Sequence, residues 1–160
     1  MTLTIRPATL ADVSVILRFV RELADFERAP DAVEATEEIL ADALFGDRPV
    51  AEAVLATRDG VPQGFALFFH NFSTWTGRRG VYLEDLYVTP EARGAGVGTA
   101  LLRHLAGIAV ARGCARFEWA VLDWNAPAKA FYAKMGAELM TDWRIERAAG
   151  GALIRLAGQE

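Results

Sequence analysis

The side chains best suited to chemistry fall between Leu83 and Thr99. Glu84 and Asp85 stand side by side in Tyr82–Val88, a run otherwise rich in aromatic and branched residues that reads as a half-buried strand. Two adjacent acids in such a run are costly unless paired, wet or functional. Strand alternation puts Glu84 with Leu86 on one face and Asp85 with Tyr87 on the other. A salt bridge to Arg78 or Arg79 competes with a functional role for Glu84, and for Asp85 that structural role is the preferred reading. Thr89-Pro90 stops the strand. Arg93-Gly94-Ala95-Gly96-Val97-Gly98 then opens a helix whose apolar positions Val97, Leu101, Leu105 and Ile108 recur at helical spacing. Backbone N–H groups at such a start have no partner inside the helix, and with the positive dipole end they form an anion site. The pattern points to a phosphate-bearing ligand.

No Gly-Lys-Ser/Thr follows the glycines, which excludes a Walker loop. The spacing Gly-x-Gly-x-Gly in mid-chain departs from the dinucleotide fingerprint G-x-G-x-x-G of a first strand-helix unit, although Glu118 stands where a ribose-binding acid would. A glycine turn that only permits tight packing is the remaining alternative.

The surrounding pattern predicts a mixed α/β domain. Leu3–Arg6 reads as a strand, and Thr9 with Asp12 as a capping-box start for a helix running to about Phe26, with Val13, Ile16, Leu17, Val20 and Leu23 on its apolar face. Thr36 caps a second helix with Ile39, Leu40, Ala43 and Leu44 on one face. Ala51–Thr57 and Gln63–His70 flank Arg58-Asp59-Gly60, a hairpin signal. Asn71–Gly80 reads as a polar loop in which Trp75 is a pocket lid or a dimer contact. Arg116–Leu122 reads as a further strand, and Ala126–Met135 as a helix closed by Gly136. Asp142–Arg147 and Ala152–Leu156 read as a final hairpin turning at Gly150-Gly151.

Over this stretch the chain resembles the GNAT acetyltransferases. Arg93-x-x-Gly96-x-Gly98, after a strand ending in Val88 and Pro90, looks like the family's acetyl-CoA pyrophosphate loop. Ile5-Arg6-Pro7-Ala8-Thr9 with Asp12 resembles its opening strand and helix start. Tyr82–Val88 and Trp124-Asn125-Ala126-Pro127-Ala128-Lys129-Ala130-Phe131-Tyr132-Ala133-Lys134-Met135-Gly136-Ala137 look like the branch acting on spermidine-type polyamines, other diamines and thialysine. The resemblance covers nearly the whole chain, so residues 1–160 are expected to form one domain. It implies helices on both faces of a mixed sheet, and parallel Tyr82 and Arg116 strands that splay to admit acetyl-CoA. It also implies a homodimer.

An alkyl amine has a pKa near 10 and must lose a proton before it can attack a thioester. The resemblance gives Glu84 the role of base and Tyr132 that of the acid that protonates the leaving thiolate. On residues alone Tyr132 is a packing tyrosine of an amphipathic helix. The backbone of Leu86, Tyr87 and Val88 is expected to pair with pantetheine like an added strand. The loop Arg93, Gly94, Ala95, Gly96, Val97, Gly98 and Thr99 is expected to cradle the pyrophosphate. Asn125, followed by Ala126, Pro127 and Ala128, matches the residue that bonds pantetheine, and Asn125 is also a good N-cap. Phe26 and Glu27 match an aromatic-acidic pair that holds a second ammonium, with cation–π help from the ring. Glu118, Trp119 and Ala120 lie at the strand position lining the same cleft. Two departures, Arg28-Ala29-Pro30-Asp31 in place of a more acidic stretch and Ala126 in place of an acid, shift the expectation from a long polyamine toward thialysine, another amino acid or a small diamine.

Composition agrees. At 160 residues and 52% apolar content, one buried core is expected. The net charge is −4, with acids gathered in the first third, which welcomes a cationic substrate and disfavours nucleic acid; a merely solvated acidic face is the alternative. No apolar run nears the roughly 20 residues of a membrane span, no signal segment is visible, and the single cysteine, Cys114, can form no internal disulfide. A cytoplasmic enzyme is expected. His70 and His104 lack metal-ligand spacing and read as structural, Cys114 reads as buried, and no metal is expected. A protein or peptide acetyltransferase and a non-catalytic acyl-CoA-binding regulator are the alternatives to a small-amine enzyme.

Overall fold

A computed structural model describes residues 2–159 of the chain. It divides at Leu122/Asp123 into two compact units. The first holds a five-stranded sheet in sequential order, β1 (Leu3–Pro7), β2 (Glu52–Arg58), β3 (Val61–Ser73), β4 (Arg78–Val88) and β5 (Phe117–Trp119). The first four strands are antiparallel neighbours, and β5 joins β4 in parallel. The crossover between them is α3 (Val97–Ala111). The remaining helices of this unit are α1 (Val13–Phe26) and α2 (Glu37–Phe45).

Local chemistry explains the boundaries. Asp12 accepts from the Thr9 backbone N–H at 2.7 Å and from its hydroxyl at 3.1 Å. Arg6 grips the same carboxylate with both guanidinium nitrogens, at 2.7 and 3.0 Å, and with the Thr9 bonds this holds the Asp12 pKa down to about 2. Thr36 caps α2 by accepting from the Ile39 N–H at 3.2 Å. Asp59 and Gly60 both have positive φ, 51° and 79°, the backbone that a tight two-residue hairpin turn demands.

The sheet is covered on both faces. In β2 the residues Ala53 to Thr57 are all buried. Ala53 and Leu55 share one apolar cluster with Ile16, Leu17 and Phe19 of α1, Leu40 and Leu44 of α2, Phe65 and Tyr87. Val54 and Ala56 alternate to the opposite face, and α3 packs across β1 to β4 with Val97, Leu101, Leu102, Leu105 and Ala109 buried. Phe19 stacks on Phe65 and Tyr87 with centroids 5.9 and 5.5 Å apart.

Three expectations are corrected. The Asn71–Gly80 segment is not a long loop: β3 runs to Ser73 and β4 starts at Arg78, leaving Thr74–Gly77 as the turn, with Trp75 at its tip. Cross-strand pairing of Asn71, Phe72 and Ser73 with Gly80, Arg79 and Arg78 overrides their polar composition. The Arg116–Leu122 strand shrinks to Phe117–Trp119, because β4 offers it partners only at Val81, Tyr82 and Leu83. The final hairpin is absent. In the second unit, 142–147 has no regular structure and Gly151–Leu156 is a helix, α5, after α4 (Ala126–Lys134). A strand requires a partner, whereas Ala152-Leu153-Ile154-Arg155-Leu156 is mostly built of good helix formers and can bond within itself.

Candidate active site

β4 carries the site of the first unit, and its irregularity shapes it. The register with β3 shifts between Leu67 and Phe68: Leu67 opposes Asp85 and Phe68 opposes Leu83, leaving Glu84 without a partner. Such a bulge re-aims side chains and breaks alternation. Glu84 is exposed, while Asp85 is half-buried and Tyr87 buried beneath α1.

Neither Glu84 nor Asp85 forms an ion pair among the described residues. The expected partners are out of reach: Arg79 precedes Glu84 by five residues of extended chain, about 16 Å along the strand. Asp85 therefore departs from the structural reading. Burial, then the charge of Glu84, then that of Glu27 push its pKa up to about 6. Glu27, just past the end of α1, is raised by loss of water and by Glu84. The Tyr82 hydroxyl is raised by burial and by both Glu84 and Glu118. Glu84 thus acts on both Glu27 and Asp85, Glu27 acts on Asp85, and Tyr82 extends the field to Glu118. Glu118 accepts a long hydrogen bond from Asn71 Nδ2 at 3.4 Å and pairs with Tyr82 across the parallel ladder. Phe69 stacks on Tyr82 at 5.2 Å, and Trp119 packs edge-on against Phe117 at 4.9 Å.

Sequence reasoning flagged the acid pair but underrated Asp85, because its burial depends on α1. The consequence is measurable. A raised carboxyl pKa means the folded state holds the proton more tightly than the unfolded chain does. Its stabilising contribution is complete below about pH 4 and is lost as pH rises through about 6. Asp85→Asn is expected to stabilise the protein at about pH 8, by up to about 3 kcal/mol, and to add little below about pH 4. Urea unfolding at the two pH values checks it.

Beyond the bulge β4 loses one neighbour. Pairing with β5 ends at Leu83/Trp119, so Asp85 to Val88 continue with β3 on one side only. This half-open edge leads through a single 3-10 turn, Pro90–Ala92, into the glycine loop. Gly94 and Gly96 have φ of 81° and 82°, a left-handed backbone that side-chain-bearing residues seldom adopt. Open space stands where their Cβ atoms would be. Among the described residues no side chain caps α3, no acid occupies its first turn, and the first N–H to bond back is that of Ala100, to Gly96 at 3.0 Å. The amides of Val97, Gly98 and Thr99 therefore present an uncompensated positive helix end, the chemistry that a phosphate requires. Arg93 stands one residue before Gly94, its Nε donating to the Val88 carbonyl at 3.2 Å. Tyr87 donates its hydroxyl to Glu22 Oε1 at 3.2 Å, which with burial raises its pKa.

The second unit carries the other expected residues. Asn125 caps α4 by accepting from the Ala128 N–H at 3.2 Å, with Ala126 and Pro127 in the first turn, so its capping role holds. Lys129 pairs with Asp123 at 2.7 Å. Tyr132 is half-buried on α4, its ring 5.4 Å from that of Phe131.

His70 sits in a hydrogen-bonded cluster at the Gly80 end of β4. Its Nδ1 lies 2.9 Å from the Gly80 carbonyl and Nε2 lies 2.9 Å from Arg112, which also grips both oxygens of Glu52 at 2.6 and 2.9 Å. Cys114 is half-buried rather than buried, 4.0 Å from His70 Nδ1. No helix among the described residues is long and apolar enough to cross a membrane.

Residues 17–137 match the family model described as Acetyltransferase (GNAT) family. A thialysine N-epsilon-acetyltransferase of Sus scrofa is 40% identical, covering 97% of each chain. An L-ornithine N5-acetyltransferase of Arabidopsis thaliana is 31% identical over 93% of this chain and 85% of its own. Among solved structures, an integron cassette protein from the mobile metagenome of V. cholerae is similar with a TM-score of 0.82 and 29% identity, covering 98% of both chains.

Proposed function

Since the chain belongs to the GNAT acetyltransferase family and is an acyltransferase, we propose that it moves the acetyl group of acetyl-CoA to the primary amine of a small cationic substrate: a diamine, a polyamine or a thialysine-like amino acid. The observation that carries the reading is the field of Glu84 on Glu27 and Asp85, at a strand whose free edge leads to a helix N-terminus with no side-chain cap among the described residues. A cluster of carboxylates favours an ammonium, and a bare helix end favours a diphosphate. The names of the thialysine and ornithine relatives support the same substrate class.

Acetyl-CoA supplies the thioester; GNAT enzymes use it as co-substrate. The backbone of Leu86, Tyr87 and Val88 holds its pantetheine arm along the open β4 edge, the loop Arg93–Thr99 holds its diphosphate, and Asn125 to Ala128 contribute from α4. Glu84 takes the proton of the bound ammonium, directly or through water. The freed nitrogen lone pair attacks the thioester carbon, the C–S bond breaks, Tyr132 protonates the departing sulfur, and the second proton that the nitrogen loses on becoming an amide restores the Tyr132 hydroxyl. The balance is one ammonium and one thioester in, one amide, one thiol and one proton out. Phe26, Glu27, Glu118, Trp119 and Ala120 surround the rest of the amine, and Asp85 joins them as a half-buried acid. Residues 1–160 act as one catalytic domain, and the branch resemblance adds a homodimer and a cytoplasmic setting.

Release of free CoA from acetyl-CoA tests the reading against spermidine, putrescine, thialysine, lysine and a short peptide. Turnover on a small amine supports it. Turnover on the peptide alone, or none on any of the five, overturns it.

A further inference from the structure

Arg93 does something that a role in the phosphate loop leaves unexplained. Its guanidinium lies over the Phe26 ring, 5.3 Å from the centroid, and 5.9 Å from that of Tyr87. Phe26 is the last residue of α1, 47% exposed, and immediately precedes Glu27. An aromatic face attracts a guanidinium and an alkylammonium through the same quadrupole. A ring face covered by Arg93 is therefore closed to a second cation, both by space and by like-charge repulsion.

We propose that Arg93 is an internal stand-in for the ammonium of the substrate: its guanidinium covers Phe26, and a diphosphate bound at the loop draws it off, opening the ring to the amine. The inference rests on the reading that Arg93–Thr99 receives the diphosphate and that Phe26 and Glu27 face the amine. The geometry permits the exchange, because Arg93 is exposed and directly precedes Gly94 and Gly96, whose amides and helix end are the proposed anion site. A charge-assisted bond to a phosphate is stronger than an exposed cation–π contact, so the diphosphate wins the competition. Donor and amine then help each other bind, by the same factor in both directions.

Calorimetric titrations with CoA, which carries the diphosphate but no acetyl group to transfer, and with putrescine test the exchange. In the wild-type protein, saturating CoA is expected to tighten putrescine by about two- to five-fold, the span of an exposed cation–π contact. Phe26→Leu removes the ring contact that competes with the diphosphate and leaves Arg93 its bond to the Val88 carbonyl and the Tyr87 ring, so CoA alone is expected to bind tighter by up to a similar factor while putrescine weakens. Arg93→Gln is expected to bind putrescine tighter without CoA, to bind CoA more weakly, and to lose the coupling. A phenylalanine that merely packs gives the opposite sign for CoA, since its loss loosens the loop. Unchanged or weaker CoA binding in Phe26→Leu, or full coupling in Arg93→Gln, overturns the proposal. Absence of CoA binding by the wild-type protein overturns the phosphate-loop reading as well. The CoA titration of Phe26→Leu needs no amine, so it decides even if the substrate is an amine other than putrescine.

Discussion

Replacing Glu84 with Gln is expected to lower kcat/KM for the amine by about 10²- to 10⁴-fold, the usual contribution of a positioned base. The amide keeps the size and exposed position of the side chain but cannot accept the ammonium proton. The remaining activity should climb with pH toward the amine pKa near 10, because only amine already deprotonated in solution can then react. The substitution also removes one of the two charges that raise Asp85, so the apparent pKa of that carboxyl should fall below about 6. Measuring kcat/KM against pH for Glu84→Gln and Asp85→Asn side by side assigns the base. If Glu84→Gln keeps wild-type turnover while Asp85→Asn loses it, the proton goes to Asp85.

Tyr132→Phe is expected to reduce kcat by about 10²- to 10³-fold with the amine KM and CoA affinity nearly unchanged. The ring survives in the substituted protein, so its packing against Phe131 and the circular dichroism of the fold should be retained. What is lost is the hydroxyl that would protonate the departing sulfur. An acyl donor with a more acidic leaving thiol needs that proton less, so the penalty should shrink as the thiol pKa falls. An undiminished kcat with acetyl-CoA would return Tyr132 to a packing role.

The helix starts were legible because their signals are local. Thr9 with Asp12, Thr36 and Asn125 each bond a backbone amide within three residues, and such bonds are written in adjacent letters. The same holds for the Asp59-Gly60 turn and for the glycines before α3, whose positive φ follows from the absence of a side chain. The Arg93–Gly98 spacing and the Tyr82–Val88 run were likewise visible, and with them the family.

Other features depended on residues far apart in the chain. A polar stretch at 71–80 became two paired strands because each side supplied the other's hydrogen-bond partners. The strand after α3 was cut to three residues, and the last predicted hairpin gave way to a helix, because ladder pairing is a property of two segments at once. The bulge at Glu84 exists only in the register between β3 and β4, and no reading of β4 alone reveals it. The state of Asp85 was hidden for the same reason: its neighbours include Glu27, from the far end of α1. Composition and spacing by themselves determined which groups this protein has for holding a phosphate and an amine, since those are properties of residue types and short backbone turns. Which carboxylate is buried, which is exposed and which ring Arg93 covers were decided only by the tertiary structure, because desolvation and electrostatic coupling depend on distances in space.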